Sequence, residues 1–102
     1  MFATIRRYEA IDQSRTAELV KKADETLLPR LNDLAGFKGY YLIEAGNGVM
    51  SSIGFFDTSA QADESTRVSS NWVRDEKLET ALPKAPKITT GGIVASRELV
   101  KA

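Results

Sequence analysis

Two runs rich in aromatic and β-branched residues, "FKGYYLIEA" (37–45) and "VMSSIGFFD" (49–57), are separated by Gly46-Asn47-Gly48. Asn-Gly between such runs is the strongest short-range signal for a β-hairpin, because both residues tolerate the positive φ that a tight primed turn demands. A phosphate-cradling loop would need a helix directly after the glycines, and here a strand follows. The pair of strands therefore folds on itself, and everything else in the chain has to pack against it.

The flanking segments supply the rest. Phe2 to Glu9 reads as a first strand. "AIDQS" breaks it, with Asp12 and Ser14 as candidate helix N-caps. From Arg15 to Leu34, apolar residues at Val20, Ala23, Leu27, Leu31 and Leu34, with Leu19 and Leu28 beside them, form a helical stripe. Pro29 removes a backbone hydrogen bond inside that stripe, so a kink or break is expected there, with helix continuing to about Asp33 and Gly36 ending it. A second helix spans "DTSAQADESTRVSSNWVRDEKL" (57–78) and opens with a Thr58/Gln61 capping box. Its inner face carries Ala62, Ser65 or Thr66, Ser69, Trp72 and Val73. After a loop at "ETALPKAP", "KITTGGIVASREL" (87–99) reads as a last strand, with Gly91-Gly92 as a candidate bulge.

The order is β-α-β-β-α-β over one 102-residue domain. It matches the split βαβ, ferredoxin-like α+β arrangement: a four-stranded antiparallel sheet with both helices on one face. The two strands of the hairpin are apolar on both faces. In the first, Phe37, Gly39, Tyr41 and Ile43 oppose Lys38, Tyr40, Leu42 and Glu44; in the second, Val49, Ile53 and Phe55 oppose Met50 and Phe56. A one-sided antiparallel sheet would alternate more cleanly. The helix-free face is therefore expected to pack against a second copy, forming a homodimer.

Composition narrows the chemistry. Lys+Arg and Asp+Glu are 14 each, so no basic excess exists to neutralise a phosphate backbone, and no nucleic-acid partner is expected. There is no Cys and no His. Thiolate nucleophiles, an axial-His haem, His triads and the usual catalytic zinc or iron sites are excluded. Any acid–base group is Asp, Glu, Lys, Tyr or a held water. The opening "MFATIRRYEA" lacks the layout of a signal peptide, no apolar run approaches membrane-spanning length, and the expected location is the cytoplasm.

Several segments together carry a family resemblance: "LLPRLNDLAGFKGYYLI" (27–43), the "GNG" hairpin, "FFDTSAQADES" (55–65) and "NWV" (71–73). They resemble the dimeric α/β-barrel proteins, and within them the antibiotic biosynthesis monooxygenase-like domains. The resemblance implies a dimer whose sheets pack face to face, with a cleft between sheet and helices in each subunit. Its members include cofactor-free monooxygenases of aromatic polyketides, quinol oxygenases, haem-degrading enzymes and proteins of no known activity. The haem branch uses a His on the second helix with an Asn and a Trp. Trp72 matches that Trp, but the chain has no His, and where that branch has its first-strand Asn this chain has Arg6, Arg7 and Tyr8. The haem branch is rejected on those grounds.

Cofactor-free oxygenation requires a dry pocket, fixed positive charge and hydrogen-bond donors around a substrate anion. Arg6, Tyr8, Tyr41, Arg67, Asn71 and Trp72 are the candidate ligand-binding residues of those types. Each also has a plainer reading. Arg6 or Arg7 can form an ion pair with a carboxylate at the dimer contact. Tyr40 and Tyr41 can fill core or interface. Arg67 can pair with Asp63 or Glu64, and Arg74 with Asp75 or Glu76. Trp72, the only tryptophan, is either the large anchor of a thin helix or one wall of a pocket, and close packing favours the anchor. No metal and no cofactor is expected. The leading expectation is a small-molecule-binding barrel protein with a hydrophobic, aromatic ligand. Cofactor-independent oxygenation of a quinol or polyketide-like aromatic, and a structural or stress-associated dimer without ligand, are the alternatives.

Overall fold

The computed structural model describes residues 1–97. Strand β1 (Phe2–Tyr8) leads through a single 3-10 turn (Gln13–Arg15), capped by Asp12, into helix α1 (Thr16–Lys22). The helix widens into a π-helical stretch (Ala23–Leu27) and resumes as α2 (Leu28–Asn32). Strands β2 (Phe37–Gly46) and β3 (Val49–Phe56) follow, then helix α3 (Ser59–Asp75) and strand β4 (Lys87–Gly92). The sheet order is β2-β3-β1-β4, with every neighbouring pair antiparallel. This is the ferredoxin-like α+β architecture.

The hairpin forms where Asn-Gly demands it. Asn47 and Gly48 have φ of 53° and 76°, and Gly46 pairs with Val49 across them. The capping box also forms. Gln61 N–H donates to Thr58 Oγ1 (3.2 Å) and Thr58 N–H to Gln61 Oε1 (3.1 Å). Gly36, at φ +77°, lies so close to the end of the Gln61 side chain that a Cβ there would displace it from the capping box.

Pro29 is accommodated without a break. It sits in the first turn of α2, where proline is tolerated best. The π-helical residues immediately before it shift the register, and Leu28 N–H donates to Ala23 O. This stretch also explains which stripe is buried. Leu19, Ala23, Leu27 and Leu31 are all inside, whereas Val20 is 45% exposed, contrary to expectation. Steps of four residues drift by about 40° each around a regular α-helix, and a wider turn takes back part of that drift.

Helix α3 stops at Asp75, not at the expected Leu78. Lys77 adopts φ +56°; its N–H donates to Arg74 O (3.1 Å) and the Leu78 N–H donates to Val73 O (2.9 Å). That is the Schellman pattern, with the fully buried Leu78 as its hydrophobic contact and Lys in the place glycine prefers.

Two strand expectations are corrected. β4 ends at Gly92; Ile93 to Arg97 are not strand, and the expected Glu98 and Leu99 lie outside the described residues. Gly91 and Gly92 pair in unbroken register with Ala3 and Phe2, so the bulge is not there. Register shifts occur instead in β2, at Phe37/Gly39 and Glu44/Gly46. The first places Phe37 against Phe56 on the helix side (ring centroids 5.7 Å apart), away from Tyr41 and Ile43.

Helices cover one face of the sheet only. Thr4, Arg6, Met50, Ser52 and Phe56 are buried beneath them. On the other face Ile5, Tyr41 and Ile43 are 39%, 49% and 45% exposed, with Val49, Ile53 and Phe55 half-buried between them. None of the described helices is long and apolar enough to cross a membrane.

Candidate functional site

A pocket lies between the helices and the covered face of the sheet. Tyr8 of β1, Tyr40 and Leu42 of β2, and Met50 and Ser52 of β3 form its sheet side. Leu19, Ala23 and Leu27 close it from the first helical segment, Ser69 and Trp72 from α3, and Leu82 from the loop before β4. The space is about 420 Å³ with its open mouth included, but it is slender. The centre of a water molecule can occupy about 30 Å³ of it, which exceeds the roughly 10–15 Å³ that one water needs.

Helix α3 gives the pocket one small side chain, Ser69, and one large one, Trp72. Ala62, Ser65, Ser69 and Trp72 are its buried positions, spaced three and four apart, and only the last is large. Trp72 is 4% exposed and belongs to the core cluster with Leu27, Leu31 and Met50 while also lining the pocket. Anchor and wall are thus one side chain. Its indole N–H donates to Thr26 Oγ1 (2.7 Å), and the Thr26 hydroxyl donates to Lys22 O (2.7 Å). Thr26 lies in the π-helical stretch, so the distortion before Pro29 presents the acceptor that holds the ring.

Arg6 is the electrostatic centre of this region. It is 2% exposed, on the helix-facing side of β1, two residues from Tyr8 and directly across from Ser52. Its Nη2 donates to Ser65 Oγ (2.8 Å) and Thr66 Oγ1 (3.1 Å), and its Nε, also buried, has no acceptor. Among the described residues Arg6 forms no ion pair with a carboxylate. Arg7 points the other way and pairs with Glu9 (3.2 Å). Burial holds the Arg6 guanidinium below its ordinary pKa, an effect the nearby Tyr8 and Tyr40 oppose. Burial likewise pushes the Tyr8 and Tyr40 phenols above their ordinary range, opposed at Tyr40 by the nearby Ser52 hydroxyl. Both are therefore neutral donors near neutral pH. Ser69 Oγ is buried without a hydrogen-bond partner.

Of the six candidates from the sequence, the structure brings three together: Tyr8 and Trp72 in the pocket wall, and Arg6 beside it. The other three lie elsewhere. Tyr41 is on the helix-free face, edge-on to Phe55 at 6.1 Å. Arg67 is exposed and paired with Glu64 (3.2 Å), as its plainer reading holds. Asn71 accepts from Arg74, whose expected partners are taken: Asp75 by Arg30 (2.9 Å) and Glu76 by Lys22 (3.6 Å). Sequence reasoning missed Tyr40, Ser52 and Ser69 as pocket residues and Thr26 as the partner of Trp72. Ser69 was detectable from its place on the Trp72 stripe. No sequence signal marks Thr26, because its role depends on the π-helical register. Among the described residues no group of three or more acidic side chains is placed to hold a metal ion.

No family model and no curated protein matches the chain. Solved structures do. A protein of unknown function from Nitrosomonas europaea, NE2512, superposes with a TM-score of 0.74 at 17% identity, over 98% of this chain and 95% of that one. A dimeric ferredoxin-like protein from an uncultured marine organism gives 0.68 at 16%, over 99% and 92%. The monooxygenase from the gene ActVA-Orf6 of Streptomyces coelicolor, in complex with nanaomycin D, gives 0.66 at 15%, over 93% and 92%.

Proposed function

We propose, from the premise that this chain has the fold of the antibiotic biosynthesis monooxygenase-like dimeric α/β proteins, that it is a single-domain, cytoplasmic homodimer binding a small hydrophobic, aromatic molecule without metal or haem. The carrying observation is the pocket itself: three aromatic side chains, Tyr8, Tyr40 and Trp72, around an apolar lining with an unpartnered Ser69 hydroxyl. A few placed polar groups in an apolar cleft are the usual anatomy of a small-molecule site. The slender cavity admits a ring only if side chains yield, and Met50 and Leu82 are the adaptable ones among its lining residues.

Cofactor-independent oxygenation is the second reading. Its support is the buried Arg6 beside two neutral phenols, a setting suited to a substrate anion, together with a fold shared with proteins described as monooxygenases. The Trp72 fluorescence of the free protein, titrated with quinones and phenols, tests the first reading. Saturable quenching by one class supports a ligand site, whereas an emission that no compound alters leaves a structural dimer. Oxygen uptake with the quenching class then separates an enzyme from a binder.

A further inference from the structure

We propose that the ligand of this pocket is an aromatic carboxylate, with Arg6 as its counter-charge. The inference rests on the ligand-binding reading above and adds the charge of the ligand. A charge buried to 2% exposure is normally paired with an opposite charge. Among the described residues Arg6 has two serine/threonine hydroxyls and no carboxylate, and its Nε has no partner there. It lies opposite Ser52 and next in line to Tyr8 on the same face, and both of those residues line the pocket.

The polar groups of the pocket point to the same ligand. Among the described residues no Asp or Glu lines it. Ser69, 3% exposed, offers a hydroxyl that no protein group uses. Ser52, Tyr8 and Tyr40 add further hydroxyls. A neutral cavity would need no buried cation, and a cation-binding one would need acceptors of negative charge. Hydroxyls able to donate, in an apolar lining with the Arg6 guanidinium directly across the sheet from Ser52, favour an anion at low effective dielectric. Trp72, Tyr8 and Tyr40 supply the flat faces an aromatic ring would stack on or abut.

Benzoate and its neutral isostere benzamide separate the two levels of the proposal. Each is titrated into the wild-type protein at neutral pH by calorimetry and by thermal melting. Hydrogen bonds to charged groups are strong enough that benzoate should bind about tenfold or more tightly than benzamide, and should raise the melting temperature at concentrations where benzamide does not. In Arg6→Met the preference should vanish while benzamide binding persists. Equal binding of the two probes, or a preference for benzamide, overturns the anion inference and leaves the pocket standing. Binding of neither overturns the ligand-binding reading with it. The wild-type comparison decides the matter even if Arg6→Met fails to fold.

Discussion

Trp72 is held by a single hydrogen bond from its indole N–H to Thr26. Thr26→Val keeps the shape and removes the acceptor, so the N–H is left unpaired in a largely buried site. The expected cost is about 1–3 kcal/mol in urea unfolding, with a shift in Trp72 emission. An unchanged midpoint would mean that the indole finds another acceptor. Tyr8 and Tyr40 give a pH dependence whose sign follows from burial. Burial holds both phenols above their ordinary pKa, so the folded state holds these protons more tightly than the unfolded one. Their contribution is fully present below the unfolded value and is lost as pH rises through the higher folded values. Urea midpoints should therefore fall above a pH of about 10, and fall less steeply in the Tyr8→Phe/Tyr40→Phe double variant. Parallel curves for the two proteins would remove burial of these phenols as the cause. At this scale the sequence displayed residue types and hid their partners. Trp72 and Tyr8 were visible as candidates because aromatic residues of that kind stand out. That Arg6 meets no carboxylate among the described residues was not visible, because a chain with 14 of them offers many conceivable partners and only the fold separates them from it.

Local chemistry governs the elements where it is strong. Asn47-Gly48 and Thr58/Gln61 act within four residues of themselves, so the hairpin and the start of α3 could be read directly. The end of α3 could not, because its stop signal is a lysine in a conformation that glycine prefers. Lys77→Gly removes that strain, since a non-glycine residue in the left-handed region costs about 1–2 kcal/mol. The variant should be stabilised by up to about 1 kcal/mol after the larger chain entropy of glycine when unfolded is set against the gain. A rise in the urea midpoint at unchanged slope would bear this out, and a fall would show that Lys77 makes contacts outweighing its backbone. Pro29 illustrates the other limit of local reading. A proline inside an apolar stripe signals disruption, but the form that the disruption takes depends on tertiary packing. Here the stripe Leu19, Ala23, Leu27 and Leu31 has to stay against one sheet face, and a π-helical register meets that need where a kink would aim α2 elsewhere. The bulge in β2 is of the same kind. It was misplaced onto Gly91-Gly92 because glycine marks where a bulge is tolerated and not where strand pairing requires one.

Among the described residues one face of the sheet is left uncovered. A sheet with helices on one face leaves the other to water or to a partner, and this one presents Ile5, Tyr41 and Ile43 with Phe55 and Ile53 between them. In the register these side chains are contiguous: Ile5 and Tyr41 flank Ile53 on its two sides, and Ile43 lies two residues beyond Tyr41. Contiguity separates a patch from the scattered apolar residues that any soluble protein exposes. Zero net charge adds no long-range repulsion between two copies. Symmetry then favours a twofold arrangement in which the same face meets itself. Ile43→Lys would set two like charges into such an interface, where each must be desolvated without a partner, while as a monomer the same side chain would merely extend into solvent. Light scattering across a dilution series should give a dimer mass for the wild type and a monomer mass for the variant, with both retaining the circular dichroism of an α+β fold. A wild-type mass that stays monomeric at every concentration would end the dimer proposal.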